Sequence, residues 1–174
     1  MNRDILNKIL DHLHVQTVYP TKIDAKAAPW FDRRQRFDSF LRINWDVSEI
    51  SAAEILFDKN GTPETVHFLK FIASTRTRIV RMGESGIPKN SEEPNDEDVA
   101  LDVKVDFAVE YTVTGCKPED LPEDGMSEFA THNMPYHLWP YYRQTVQDIA
   151  TRMQFQTPAI PSFRVPASHQ SKSD

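Results

Sequence analysis

The sequence predicts an α+β domain: a four-stranded antiparallel sheet with a long C-terminal helix packed on one face, plus a short N-terminal helix. Three observations carry this. First, Val99–Val113 alternates without a break: Val99, Leu101, Val103, Val105, Phe107, Val109, Tyr111 and Val113 fall on one side, and Ala100, Asp102, Lys104, Asp106, Ala108, Glu110 and Thr112 on the other. A one-residue slip would turn every apolar group to water, so the register is strongly specified. Second, Leu138, Tyr142, Val146, Ile149 and Met153 recur at helical steps and draw one apolar stripe. Third, Asn60-Gly61 sits between two apolar runs, a strong short-range hairpin signal. A sheet with one apolar side needs a second layer, and the C-terminal stripe supplies it.

In chain order, residues 2–12 read as a short helix with Ile5, Leu6, Ile9, Leu10 and Leu13 on one side. It packs on its own domain, or it is an arm that docks on a partner chain. Leu13, Val15, Thr17 and Tyr19 then alternate with His14 and Gln16 until Pro20. Proline cannot donate to a ladder, so this strand has edge or bulge character. Residues 25–31 form a crossover carrying Pro29, Trp30 and Phe31. Large aromatics are unusual in a surface connection; they tuck into the core or line a site.

Phe37, Leu41, Ile43, Trp45 and Val47 point one way and Asp38, Arg42, Asn44 and Asp46 the other, with Phe40 as an exception. Residues 50–57 either continue this strand or make one helical turn. The next strand, 66–82, has apolar residues on both faces in its first half (Val66, Phe68 and Ile72 against Leu69 and Phe71), which predicts cover on both sides. Arg76, Arg78 and Arg81 predict exposure in its second half. Residues 83–98 form a long acidic loop, and 117–125 a Pro- and acid-rich linker, with a helical turn expected over 126–131. Pro135 suits a first helical turn; Pro140 either lies in the first turn of a late-starting helix or kinks an earlier one. The layout expected is an N-terminal extension over 1–12, one domain over 13–165 and a disordered polar tail over 166–174.

Composition narrows the function classes. A length of 174 residues suits one domain with a real core. The net charge of −6 argues against a nucleic-acid partner bound through phosphates. The single cysteine, Cys116, excludes an internal disulfide and points to a reducing compartment. No apolar run approaches membrane-span length, and the charged first residues do not read as a signal peptide; a cytoplasmic location is expected, without membrane insertion. No catalytic set emerges and no cofactor is implied. His132 and His137 miss the i, i+4 spacing of a helical metal pair. Cys116 beside Lys117 is a candidate for a lowered thiol pKa, in a loop with no obvious base. The protein is not expected to be an enzyme, and no metal site is expected.

One stretch carries a resemblance. Asn133-Met134-Pro135, Leu138-Trp139-Pro140-Tyr141-Tyr142-Arg143, and then Pro158 and Pro161 resemble the long helix and following proline-marked turn of the SecB export chaperone family, and the strand pattern agrees over residues 13–165. The resemblance implies an ATP-independent holdase for unfolded clients, either preproteins for export or an antitoxin. It implies a homotetramer, a dimer of dimers, built through Leu138, Tyr142, Val146 and Ile149 and an unpaired first strand. It implies a client groove beside the crossover, for which Trp30, Phe31, Phe40, Phe57, Tyr136 and Trp139 are the candidates. Asp102, Asp106 and Glu110 would form the acidic face that meets the SecA motor, although they read first as a solvated sheet surface. The N-terminal helix, the longer 83–98 loop and the lack of room for a second C-terminal helix depart from many family members, and the first and last of these resemble SecB-like chaperones that guard an antitoxin. The alternative is a non-catalytic assembly protein of the same fold with one fixed partner.

Overall fold

A computed structural model describes residues 3–83 and 93–163. The greater part of the predicted acidic loop, 84–92, and the predicted disordered tail, 166–174, lie outside the described residues. The elements are α1 (Arg3–Leu10), β1 (Leu13–Ala27), β2 (Ser39–Lys59), β3 (Thr62–Arg81), β4 (Val99–Val113), α2 (Glu123–His132) and α3 (Met134–Arg152). The sheet is antiparallel, with order β1-β4-β3-β2. Residues 28–38 therefore carry the chain from one edge of the sheet to the other.

The alternation in β4 sets one apolar face, here called the helix face. Its Leu101, Val103, Val105, Phe107, Val109 and Tyr111 are each 1% exposed or less. Helix α3 covers them with Met134, Leu138, Tyr142, Val146 and Ala150. Pro135 lies in the first turn and Pro140 inside the helix. Phe129 of α2 packs against Phe71 and Tyr111, with ring centroids 5.9 and 5.1 Å away. Helix α1 packs on α2 of its own chain and buries Leu6 and Ile9. Gly125 permits that approach, because a Cβ there would stand 2.9 Å from the Ile9 side chain. Asn60 and Gly61, both at positive φ, turn β2 into β3, as the Asn-Gly signal required.

Bulges correct the simple alternation at both sheet edges. In β1, register shifts fall between Val15 and Thr17 and between Pro20 and Lys22. They place Val18 inward opposite Val109 and send Tyr19 to the other face, opposite Ala108. In β2, Val47 pairs with Ala73 and Glu49 with Ile72, so Ser48 is the extra residue. One unpaired residue inverts the parity of all later positions in the strand. Trp45 (opposite Thr75) and Ile50 (opposite Phe71) therefore both present to the helix face. Residues 50–57 continue the strand beyond the bulge rather than making a helical turn.

The second half of β3 is not exposed as its arginines suggest. Arg78 is 2% exposed: its guanidinium donates to Glu93 Oε2 at 2.5 Å and to Asn44 Oδ1 at 3.1 Å. Residues 93–98 close over this end of the outer face, and Pro94 is buried there.

Candidate functional site

Two aromatic groups stand at opposite ends of α3. At its C-terminal end, the crossover places Trp30 edge-on to Phe37 (5.6 Å) and Phe31 edge-on to Phe37 (6.3 Å), while Phe31 stacks on Phe155 at 3.7 Å and 10°. Trp30 Nε1 donates to the Glu97 carbonyl at 2.9 Å, and the Arg81 guanidinium lies 4.5 Å above its ring. At the N-terminal end, Phe163 meets Tyr136 (5.1 Å), Trp139 (5.3 Å) and Trp45 of β2 (6.5 Å). Residues 155–163 run back along α3 from one group to the other. Gln147 Nε2 donates to the Pro158 carbonyl at 3.2 Å and Trp139 Nε1 to the Pro161 carbonyl at 2.7 Å.

From Trp45 an open trough of about 710 Å³ continues between β2 and α2. Its apolar lining is Trp45, Val47, Ile50, Ala52, Leu69, Met126 and Ala130, and Glu119 and Glu123 stand in its wall, whereas Asp46 and Glu49 border it on the strand but pair on the outer face; among the described residues no Lys, Arg or His lines it. The Ser48 bulge builds this floor, because without it Ile50 and Ala52 would face the other way. Ile50 is 42% exposed, so the apolar surface is open to solvent.

The structure brings some of the sequence candidates together and separates others. Tyr136 and Trp139 share the Phe163 cluster; Trp30 and Phe31 belong to the cluster at the other end. None of these four is sealed: Tyr136 and Trp30 are exposed, and Phe31 and Trp139 are half-buried. Phe40 pairs opposite Val80 on the outer face, and Phe57 sits exposed near the β2–β3 turn opposite Glu64, so neither joins them.

The apolar stripe assigned to an oligomer interface is largely internal. Leu138, Tyr142 and Val146 are each 1% exposed and Ile149 is half-buried against the core. A residue that covers its own sheet has no surface left for a second chain. Away from the Phe163 cluster, apolar residues exposed on or beside α3 include Val15, Ile23 and Tyr141, the first two on edge strand β1. Asp102, Asp106 and Glu110 share the outer face as expected, but Asp102 takes a two-pronged pair from Arg76 (2.9 and 2.7 Å) and Glu110 accepts from the Tyr19 hydroxyl at 2.7 Å.

The perturbed groups belong to the fold. Burial raises the Tyr142 hydroxyl to about 12 despite its bond to Thr77. Burial also raises Tyr111 and lowers the His137 imidazole 2.8 Å from it. The Cys116 thiol is raised by burial and by Asp120, the opposite of the lowering expected from Lys117. Among the described residues no cluster of three or more His, Cys, Asp or Glu could hold a metal ion, and no helix is long and apolar enough to cross a membrane.

No known protein family and no curated protein matches the chain by sequence. Its structure is similar to that of the Mycobacterium tuberculosis SecB-like chaperone Rv1957, solved in complex with a ChAD peptide from the Rv1956 HigA1 antitoxin: the TM-score is 0.59 at 12% identity, over 94% of this chain and 99% of that one. The chain has the fold of a SecB-like chaperone. The coverage means that the SecB-like fold takes in nearly the whole chain. The trough residues Ile50, Ala52, Met126 and Ala130 of this SecB-like fold are not among the residues that the sequence points to. The disturbed period at 47–50 is the signal that could have found them.

Proposed function

We propose that the protein is an ATP-independent holdase that binds unfolded or extended polypeptides in the apolar trough. The observation that carries this reading is the solvent-open apolar floor between β2 and α2, whose Trp45 also meets Phe163, the ring on which Tyr136 and Trp139 pack. The neighbour of like fold, a SecB-like chaperone seen with an antitoxin peptide, supports a polypeptide as the ligand. The carboxylates of the wall favour client segments that carry Lys or Arg beside their apolar residues. Clients are preproteins for export or an antitoxin in the cytoplasm, and the outer-face carboxylates, Asp106 above all, are what remains for a SecA contact.

Magnitudes favour weak single sites. Burying one large side chain is worth about 1.5–3 kcal/mol, so three or four anchors give roughly 5–10 kcal/mol gross. Ordering the client removes about 1 kcal/mol or more for each residue fixed. Tight holding then requires several grooves on one client. A homotetramer supplies them, and its contacts fall on Val15, Ile23 and Tyr141 at the β1 edge. The test is suppression of aggregation of an unfolded model protein at stoichiometric ratio without nucleotide. Suppression is expected; aggregation at the uncatalysed rate with excess protein present would overturn the reading.

A further inference from the structure

We infer that the end of the chain's own C-terminal segment, Pro161 to Phe163, occupies an aromatic subsite of the client groove and competes with clients for it. This rests on the holdase reading above. Four observations carry it. Phe163 packs on the side chains of Tyr136, Trp139 and Trp45, and the first two of these are client contacts expected from the sequence. The donors that hold the segment, Trp139 Nε1 and Gln147 Nε2, bond main-chain carbonyls. Every polypeptide offers carbonyls, so the same donors serve any extended chain with an aromatic side chain at the right place. Pro158 and Pro161 have no N–H to give, and none of the described segment's main-chain N–H groups bonds β2. The edge of β2 therefore does not retain the segment.

The segment also divides into a fixed and an exchangeable part. Phe155 and Ile160 are 7% and 3% exposed and belong to the core. Pro161 and Ser162 are exposed and Phe163 is only half-buried. Release of Phe163 therefore leaves the core intact and opens the pocket of Trp45, Tyr136 and Trp139. A site open for only a fraction of the time binds more weakly by that fraction.

The test uses the full chain and a dye-labelled peptide of the sequence TPAIPSFRV, residues 157–165, read by fluorescence anisotropy. Phe163→Ala is expected to tighten peptide binding several-fold over the wild type, Phe163→Trp to weaken it, and Trp139→Ala to abolish the difference between them. Denaturation midpoints of the Phe163 variants close to the wild type show that the core is intact. Equal affinity for the wild type and both Phe163 variants, or no binding to any of them, overturns the inference. The aggregation assay reports on the holdase reading independently, so suppression by a protein that ignores this peptide would sink the competitor and leave the groove.

Discussion

The Tyr142 hydroxyl of α3 and the Thr77 hydroxyl of β3 lie 2.5 Å apart in the core, with both residues nearly inaccessible. This bond fastens the long helix to the sheet at its middle. Tyr142→Phe leaves the Thr77 hydroxyl buried without that partner, a loss of about 1–3 kcal/mol. The midpoint of urea unfolding should fall accordingly, with no change in its slope.

Leu138→Ala separates an internal stripe from an interface. Loss of a fully buried leucine costs about 2–5 kcal/mol. The account expects lower stability with an unchanged sedimentation coefficient. Tyr141→Glu, at an exposed position, should instead leave stability within about 0.5 kcal/mol and shift the sedimentation coefficient toward the monomer.

His137 gives the fold an acid-sensitive element. Burial holds its imidazole below the ordinary 6.5, so the folded state disfavours the proton relative to the unfolded chain. The stability it supports is full above pH 6.5 and falls as pH drops toward its folded value. Gln at this position keeps a polar partner for Tyr111 and removes the titration. Thermal midpoints of His137→Gln between pH 7 and pH 5 should decline less than those of the wild type, on the order of one fewer group to protonate.

Much of this is legible in the sequence because it depends on period. The alternation of β4 from Leu101 to Val113, the α3 stripe and the Asn60-Gly61 turn each specify local geometry without help from the rest of the chain, whereas a register shift pairs Val99 with Val80, off the face expected for it. The features that period alone misplaces depend on single insertions and on long-range partners. Ser48 inverts the parity of β2 and so hides Ile50 and Ala52 from a strict two-residue reading. Arg78 looks solvent-facing by residue type, yet Glu93 and Asn44, distant in sequence, make its burial tolerable. The α3 stripe is visible in the sequence, but whether it faces its own sheet or a second chain is a tertiary fact. Phe40 and Phe57 are apolar and available, and only the sheet's two faces separate them from Tyr136 and Trp139.

The carboxylates of the trough wall predict a charge preference. Glu119 and Glu123 are exposed, so their field is screened over about 8 Å at physiological salt. An extended peptide with apolar residues flanked by lysines should bind several-fold tighter at low salt than at high salt. Glu119→Lys with Glu123→Lys should remove that dependence, as read by isothermal titration.

The trough between β2 and α2 is tested most directly by titrating one labelled, permanently unfolded client against three full-length proteins. These are the wild type, Ile50→Glu with Met126→Glu, which places charge on the floor, and Phe57→Ala, which removes an exposed aromatic on the other face of the sheet. The account predicts that the double variant loses binding by tenfold or more while Phe57→Ala matches the wild type. Undiminished binding by the folded double variant would contradict it.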